Sequence, residues 1–317
     1  MKHLIALLII PSILMSQSTF EKAEKLFKEE KFQSAKSLFA SYLKEHPEDQ
    51  KTREYLGDIA GYVKDWDTAI ALYSVLVEEN GNSANFHFKH GGALGMKALE
   101  ISRIRALSYI GDIKEAFLNA ARLDPEHIEV RWALVELYMQ LPGIIGGSES
   151  TSLKYAKELQ NISPVDGYLA KGYIAEYAER PEDAERFYKK AIEIGGSPHT
   201  YEKLTTHYEK NKRPKEAIET ASKSLELHKR NSLNYQIGKI AAQYNLDGAL
   251  GINCLKEYIE NYSVRDGVPK DWAYYRMAQI YKNQGEKEAA LSWIEKALED
   301  RPDFKQAIEE KEIILSL

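Results

Sequence analysis

Residues 50–81 read QKTREYLGDIAGYVKDWDTAIALYSVLVEENG, and the organisation of the whole chain follows from where a few of these residues stand. Leu56-Gly57 sets a large residue beside a small one in a first amphipathic run, and Ala69 and Tyr73 set a small residue four before an aromatic in a second. The polar pair Lys64-Asp65 separates the runs, and Gly81 closes the second. Apolar residues three and four apart mark helices, and small residues facing large ones let two helices approach closely.

The same marks recur at a fixed interval. Ala35, Phe39 and Pro47 each lie 34 residues before Ala69, Tyr73 and Gly81, and Gly91 lies 34 beyond Gly57. Phe117, Ala120 and Pro125 follow, then Gly172, Ala184, Tyr188 and Ala191, then Tyr201, Leu204, Tyr208 and Ala217. Tyr235, Gly251, Leu255 and Tyr258 make a seventh set, and Tyr274, Met277, Ala278, Tyr281, Ala290, Ala297 and Pro302 an eighth. One period repeated along a chain is the signature of an array in which each unit packs on its neighbours. Eight units start near 16, 50, 84, 128, 165, 198, 232 and 271.

This pattern resembles the tetratricopeptide repeat family over nearly the whole chain. The resemblance implies an all-α, right-handed α-solenoid of about eight helix-turn-helix repeats over residues 18–317. Residues 303–317, with Phe304, Ala307, Ile308, Ile313 and Ile314 among charges, are expected to form the capping helix that covers the last apolar face. Three units exceed the family's length: the third between Gly95 and Tyr109, the fourth at 141–148 and the eighth at Val264–Lys270. The run LPGIIGGS at 141–148 reads as a structural turn. Its glycines would supply positive φ, its isoleucines would pack on the adjacent repeat, and Ser148 would cap the next helix.

The N-terminus addresses the compartment. Met1-Lys2-His3 is weakly basic, Leu4–Met15 is almost continuously apolar, and Ser16-Gln17-Ser18 is small and polar. That layout is a secretory signal peptide over 1–17, too short in its apolar part to span a bilayer, so a periplasmic or secreted protein without stable membrane insertion is expected. Ser18 with Glu21 reads as a capping box for the first mature helix.

Composition narrows the function. Hydrophobic residues at 44% and charged residues at 29% fit a folded chain, and a formal charge of -5 gives no electrostatic case for binding nucleic acid. The only cysteine, Cys254, sits in an apolar pattern as a structural residue. His87 and His90 share a helix face, yet two imidazoles without further ligands make a poor metal site. No nucleophile elbow, zincin helix or dinucleotide fingerprint is present, so no catalysis, cofactor or metal is expected.

The resemblance also implies a groove, because positions 2, 5, 9 and 12 of each first helix face inward in this family. Here those positions include Lys51, Glu54 and Asp58; Phe88; Glu129, Trp132 and Glu136; Asp166, Tyr173 and Glu176; Glu202 and Glu209. Gln236, Gln243, Trp272, Tyr275 and Lys282 follow towards the end. The second to sixth units thus set eight carboxylates against one lysine, which would draw a cationic partner, with exposed Trp132, Tyr173, Trp272 and Tyr275 as anchors. The same acids also suit a merely solvated helix face. The lysine, asparagine and arginine of the family's carboxylate clamp are absent. The expected function is an exported scaffold that binds a basic-apolar peptide or protein segment. A self-associating envelope component and a glycan-binding accessory protein are the alternatives.

Overall fold

A computed structural model of the chain describes residues 19–317, so the expected signal peptide and the Ser18 cap lie outside the described residues. Every regular element among the described residues is helical. The elements form eight consecutive pairs. A helix over 19–28 (α1) pairs with α2 (Phe32–Glu45), and α3 (Gln50–Tyr62) with α4 (Trp66–Glu79). The long α5 (Ala84–Glu100) pairs with α7 (Ile110–Leu123) across a short α6 (Arg103–Ala106), and α8 (Ile128–Gln140) precedes α9 (Glu149–Ile162). Then come α10 (Pro164–Tyr177) with α11 (Pro181–Gly195), α12 (Pro198–Lys210) with α13 (Pro214–His228), and α14 (Asn231–Tyr244) with α15 (Gly248–Glu260). The last pair is α16 (Lys270–Asn283) with α17 (Lys287–Asp300), and α18 (Lys305–Leu315) closes the chain. The described chain divides into two compact units that meet in sequence at Glu158 and Leu159.

In the first unit two pairs close on a glycine. A side chain at Gly57 would come 2.6 Å from the Tyr73 ring, and one at Gly91 would come 2.9 Å from the Phe117 ring. Ala23, Ala35, Phe39 and Ile59 fill one core cluster, and Ala60, Ala69, Tyr73, Leu76, Phe86 and Ala93 the next. The fourth position of three first helices carries a buried polar residue with one job. Arg53 donates to the Pro47 carbonyl at 2.5 Å, His87 Nε2 lies 3.0 Å from the Gly81 carbonyl, and Arg131 donates to the Asp124 and Ala121 carbonyls at 2.8 and 3.1 Å. Helix C-termini leave carbonyls without intrahelical partners, and these side chains satisfy them from the next pair. His87 is thereby committed to the backbone, which agrees with a packing role.

The second unit repeats the rule, with Gly172 against Tyr188 and Gly238 against Leu255. At its end Phe304, Ala307 and Ile314 join Ala290, Ile294 and Ala297 in one cluster, and Glu310 of α18 pairs with Lys282 of α16 at 2.6 Å. Residues 303–317 therefore do cap the last pair.

Two expectations need correction. The small residues of the first and second helices stand 12 apart in the second and fifth units (57 and 69, 172 and 184), but 13 apart in the seventh (238 and 251). The extra residue is absorbed in the turn, where Asn245 and Asp247 take φ of 48° and 46°. The seventh unit thus starts at 231, so positions 5 and 12 fall on Tyr235 and Ala242 in place of Gln236 and Gln243, and position 9 on Lys239. In the 141–148 loop, Gly146 has φ of 99° and Ser148 caps α9 by accepting from Thr151 N at 3.1 Å, as expected. Ile144, however, is 95% exposed and does not pack on a neighbour. The loop holds its shape by its own backbone bonds, Gly147 N to Pro142 O at 3.1 Å and Ser148 N to Tyr138 O at 2.8 Å.

The close approaches make a pair of opposite predictions. Gly57→Ala and Gly172→Ala should each destabilise by about 1–3 kcal/mol through overpacking. Gly92→Ala, where an added methyl meets nothing within 4 Å, should stabilise by roughly 0.4–1 kcal/mol. Urea unfolding of the three variants reads both signs.

Candidate functional site

The first helices present the predicted groove positions, and each unit has its own set. In the first, Glu54 and Asp58 of α3 converge on one cation from the next pair. Lys89 of α5 lies 2.7 Å from Glu54 and 2.6 Å from Asp58, Asn85 donates to Glu54 at 2.7 Å, and the Tyr73 hydroxyl donates to Asp58 at 2.6 Å. Burial, followed by the Asp58 charge, raises the Tyr73 phenol well above its ordinary pKa and keeps it neutral. Phe88 is half-buried, with its ring 5.0 Å from His127 and 6.1 Å from Phe117. Glu129 is exposed and 3.0 Å from His127 Nδ1, Trp132 is half-buried, and Glu136 is exposed.

In the second unit, Tyr173 and Glu176 come together in an open cleft of about 530 Å³ between α10 and α12, lined also by Tyr177, His207, Lys210 and Asn211. His207 Nδ1 stands 2.8 Å from Glu176 and Lys210 Nζ 3.5 Å. A carboxylate only accepts, so Nδ1 carries the proton in that bond, and Nε2 is left buried without a partner. Burial raises the Glu176 pKa, but His207, Lys210 and Tyr188 outweigh it and hold the group below the usual carboxylate range. A second cleft of about 480 Å³ between α12 and α14 takes in Glu202, Glu209, Tyr235, Gln236 and Lys239, and Lys210 lines both. Lys239 pairs with Glu209 at 2.8 Å, and Glu202 stays exposed with His199 3.7 Å away.

Three predicted residues sit otherwise than expected. Asp166 accepts from the Ser163 hydroxyl at 2.5 Å, so it completes the N-terminal cap of α10. Tyr275 is only 8% exposed, its hydroxyl accepts from Gln279 at 2.8 Å, and its ring lies 5.4 Å from Phe304. Trp272 is half-buried with its ring 4.6 Å from Phe304 and Arg301 over it. The capping segment lands Phe304 on both rings, which puts Tyr275 in the core and packs Trp272 against it.

Sequence reasoning missed the cations: Lys89, His207, Lys210 and Lys239. A signal for them exists. Glu24 and Tyr55, Glu54 and Asn85, Asp58 and Lys89, Glu176 and His207, and Gln279 and Glu310 are all hydrogen-bonded across 31 residues. Where the unit is 34 long that separation is one repeat forward and one three-residue step back, and in the 33-residue fifth unit it is a two-residue step; both are where neighbouring first helices touch. Glu209 and Lys239 are 30 apart, as the early start of the seventh unit requires.

The tetratricopeptide repeat family model matches residues 165–194 and 273–304. The chain folds as tetratricopeptide repeats. The structure is similar to that of a tetratricopeptide repeat protein from Parabacteroides merdae, with a TM-score of 0.51 at 13% identity over 95% of this chain and 98% of that one. A thermophilic TPR protein of Thermus thermophilus matches with a TM-score of 0.41 at 16% identity over 76% of this chain and 98% of that one. No curated protein matches by sequence. Proteins of that family are generally non-catalytic protein-interaction modules. In this chain the repeat-to-repeat ion pairs occupy much of the predicted acidic face.

Two substitutions test those pairs. Lys89→Met should destabilise by roughly 1–3 kcal/mol, since it strands two half-buried carboxylates. Glu24 is held at about 2, against a usual 4.5, by hydrogen bonds from Tyr55 and Lys51 that outweigh burial. A depressed carboxylate stabilises the fold above its unfolded pKa and loses that contribution as pH falls through the folded one. The gap between wild type and Glu24→Gln, a few tenths to about 1 kcal/mol at pH 7 for a largely exposed group, should therefore close between pH 4.5 and 2.

Proposed function

We propose that the chain is an exported protein-interaction module that holds a peptide or protein segment on the first-helix face of its second unit. The observation that carries the reading is the pair of open clefts that share Lys210 and run from α10 to α14. Tyr173 and exposed Tyr177 offer large contact areas at low entropic cost, and the open form suits a chain segment better than an enclosed small molecule.

The pairing described above changes the expected ligand. Glu176 already binds His207 and Lys210, and Glu209 already binds Lys239, so the face does not act as a plain acid trap. A segment of mixed charge with an apolar or aromatic residue seated by Tyr173 and Tyr177 fits better than a uniformly basic one. Export rests on the layout of residues 1–17.

Crosslinking in the native host, with mass spectrometry of the captured chain, tests both parts. Partners should crosslink from Lys210 and Lys239, and Tyr173→Ala/Tyr177→Ala should lower capture at least tenfold. Capture that ignores the double substitution overturns the cleft assignment. An intact residue 1–17 segment on the recovered protein overturns cleavage and export.

A further inference from the structure

A second surface, in the first unit, points to a different kind of partner. Turns inside successive helix pairs lie along one edge of a helix-pair stack. In the second to fourth pairs of the first unit these are residues 63–65, 101–109 and 141–148, while the turn of the first pair, Glu29-Glu30-Lys31, is short and polar. Two contacts hold neighbouring turns together. Lys97, at the end of α5, pairs with Asp67, at the start of α4, at 2.7 Å. Lys114, in the first turns of α7, lies 5.1 Å from the Tyr138 ring centroid and would be 3.4 Å from a Cβ at Gly146.

In the other pairs such turns are short and polar, as at Arg180-Pro181, Lys212-Arg213 and Gln284-Gly285. From the second pair to the fourth this edge instead exposes aliphatic side chains: Val63, then Leu99 in the last turn of α5 with Ile104 and Leu107 beyond it, then Ile144. Leu99 is 72% exposed and Ile104 83%, and with Ile144 they stand almost clear of the protein. Two of these three turns are expansions that the 34-residue unit does not need. Exposed aliphatic residues gathered on optional segments carry a cost in solubility that packing does not explain.

The charges name the partner. Arg103 and Arg105 flank Ile104, and no ion pair joins either guanidinium to an acid among the described residues. Residues 95–109 hold Lys97, Arg103 and Arg105 against Glu100 alone, in a chain whose net charge is -5. Lys97 is already neutralised by Asp67, which leaves the two arginines to face outward. Aliphatic side chains beside free arginines are the combination that binds an anionic lipid interface: the apolar groups enter the acyl boundary and the cations meet the headgroups. A protein partner would need a separate socket for each protruding side chain on three turns, whereas a fluid bilayer needs none.

We propose that this edge of the first unit docks peripherally on an anionic membrane surface. No helix among the described residues is long and apolar enough to cross a membrane, so the contact is interfacial.

The test is cosedimentation of the full chain with phosphatidylcholine vesicles, with and without phosphatidylglycerol. Residues 1–17 are common to all variants, so differences between variants report the edge alone. Wild type should partition onto the anionic vesicles more strongly, and less so as salt rises. Arg103→Glu/Arg105→Glu should weaken that partition about thirtyfold or more, from roughly fivefold per cation near the surface. Ile104→Glu/Leu107→Glu should weaken it at least tenfold on anionic vesicles. Val264→Glu, at an equally exposed aliphatic residue in the α15–α16 connection, should leave it unchanged. Equal binding to neutral and anionic vesicles, or edge variants that bind like wild type, overturns the proposal. So does a dimer in sedimentation equilibrium that Ile104→Glu dissolves, because the edge would then be covered by a second copy.

Discussion

The structure depends on how closely two helices of a pair can approach. Gly57, Gly91, Gly172 and Gly238 each face a large side chain of the second helix at a distance that leaves no room for a methyl group. The close contact does two things at once. It seals the apolar seam within the pair, and it carries the Tyr73 hydroxyl through to a carboxylate on the exposed side of the first helix, as the Tyr188 hydroxyl also reaches Glu176. A larger residue at those positions would push the ring away and break both.

Once the pairs are closed, the spacing between them sets which residues meet. First helices one repeat apart touch with an offset of one three-residue step, so partners fall 31 residues apart wherever the unit is 34 long. That rule places Lys89 against Asp58 and Asn85 against Glu54, while the 33-residue fifth unit sets His207 against Glu176 with a two-residue step instead. The carboxylates of the expected groove are therefore structural in part: they hold one pair to the next as well as lining a surface, and a substitution there changes stability.

The fold was legible in the sequence because its determinant is local and periodic. Small and large residues at fixed offsets locate each pair, and the capping helix shows as apolar residues among charges after Pro302. The face was only half legible. Positions 2, 5, 9 and 12 name Glu54 with Asp58 and Tyr173 with Glu176, and each couple stands together because it shares one helix. What escaped was every effect of a neighbouring element. Counting charges at inward positions left out Lys89 and His207, which enter from the next repeat at other positions. Tyr275 scored as a surface aromatic because Phe304, 29 residues on, was not yet folded onto it. The one-residue turn insertion near Asn245 shifted a whole helix while leaving each half of its repeat in pattern. Ile144 failed for a related reason: an apolar residue in a loop suggests a packing partner, but nothing local says that none is there.

The central claim is that small-against-large contact within a pair is a direct physical coupling, and a double-mutant cycle on Gly91 and Phe117 addresses it most directly. That couple has no hydrogen bond to confuse the result, since neither side chain carries a polar group and the atoms nearest an added methyl at Gly91 belong to the Phe117 ring and the Ala116 methyl. Phe117→Leu opens a cavity that the methyl can occupy. The account predicts that the double variant is more stable than the sum of the single losses by about 0.5–3 kcal/mol in urea unfolding. Losses that simply add, within roughly 0.3–0.5 kcal/mol, would contradict it.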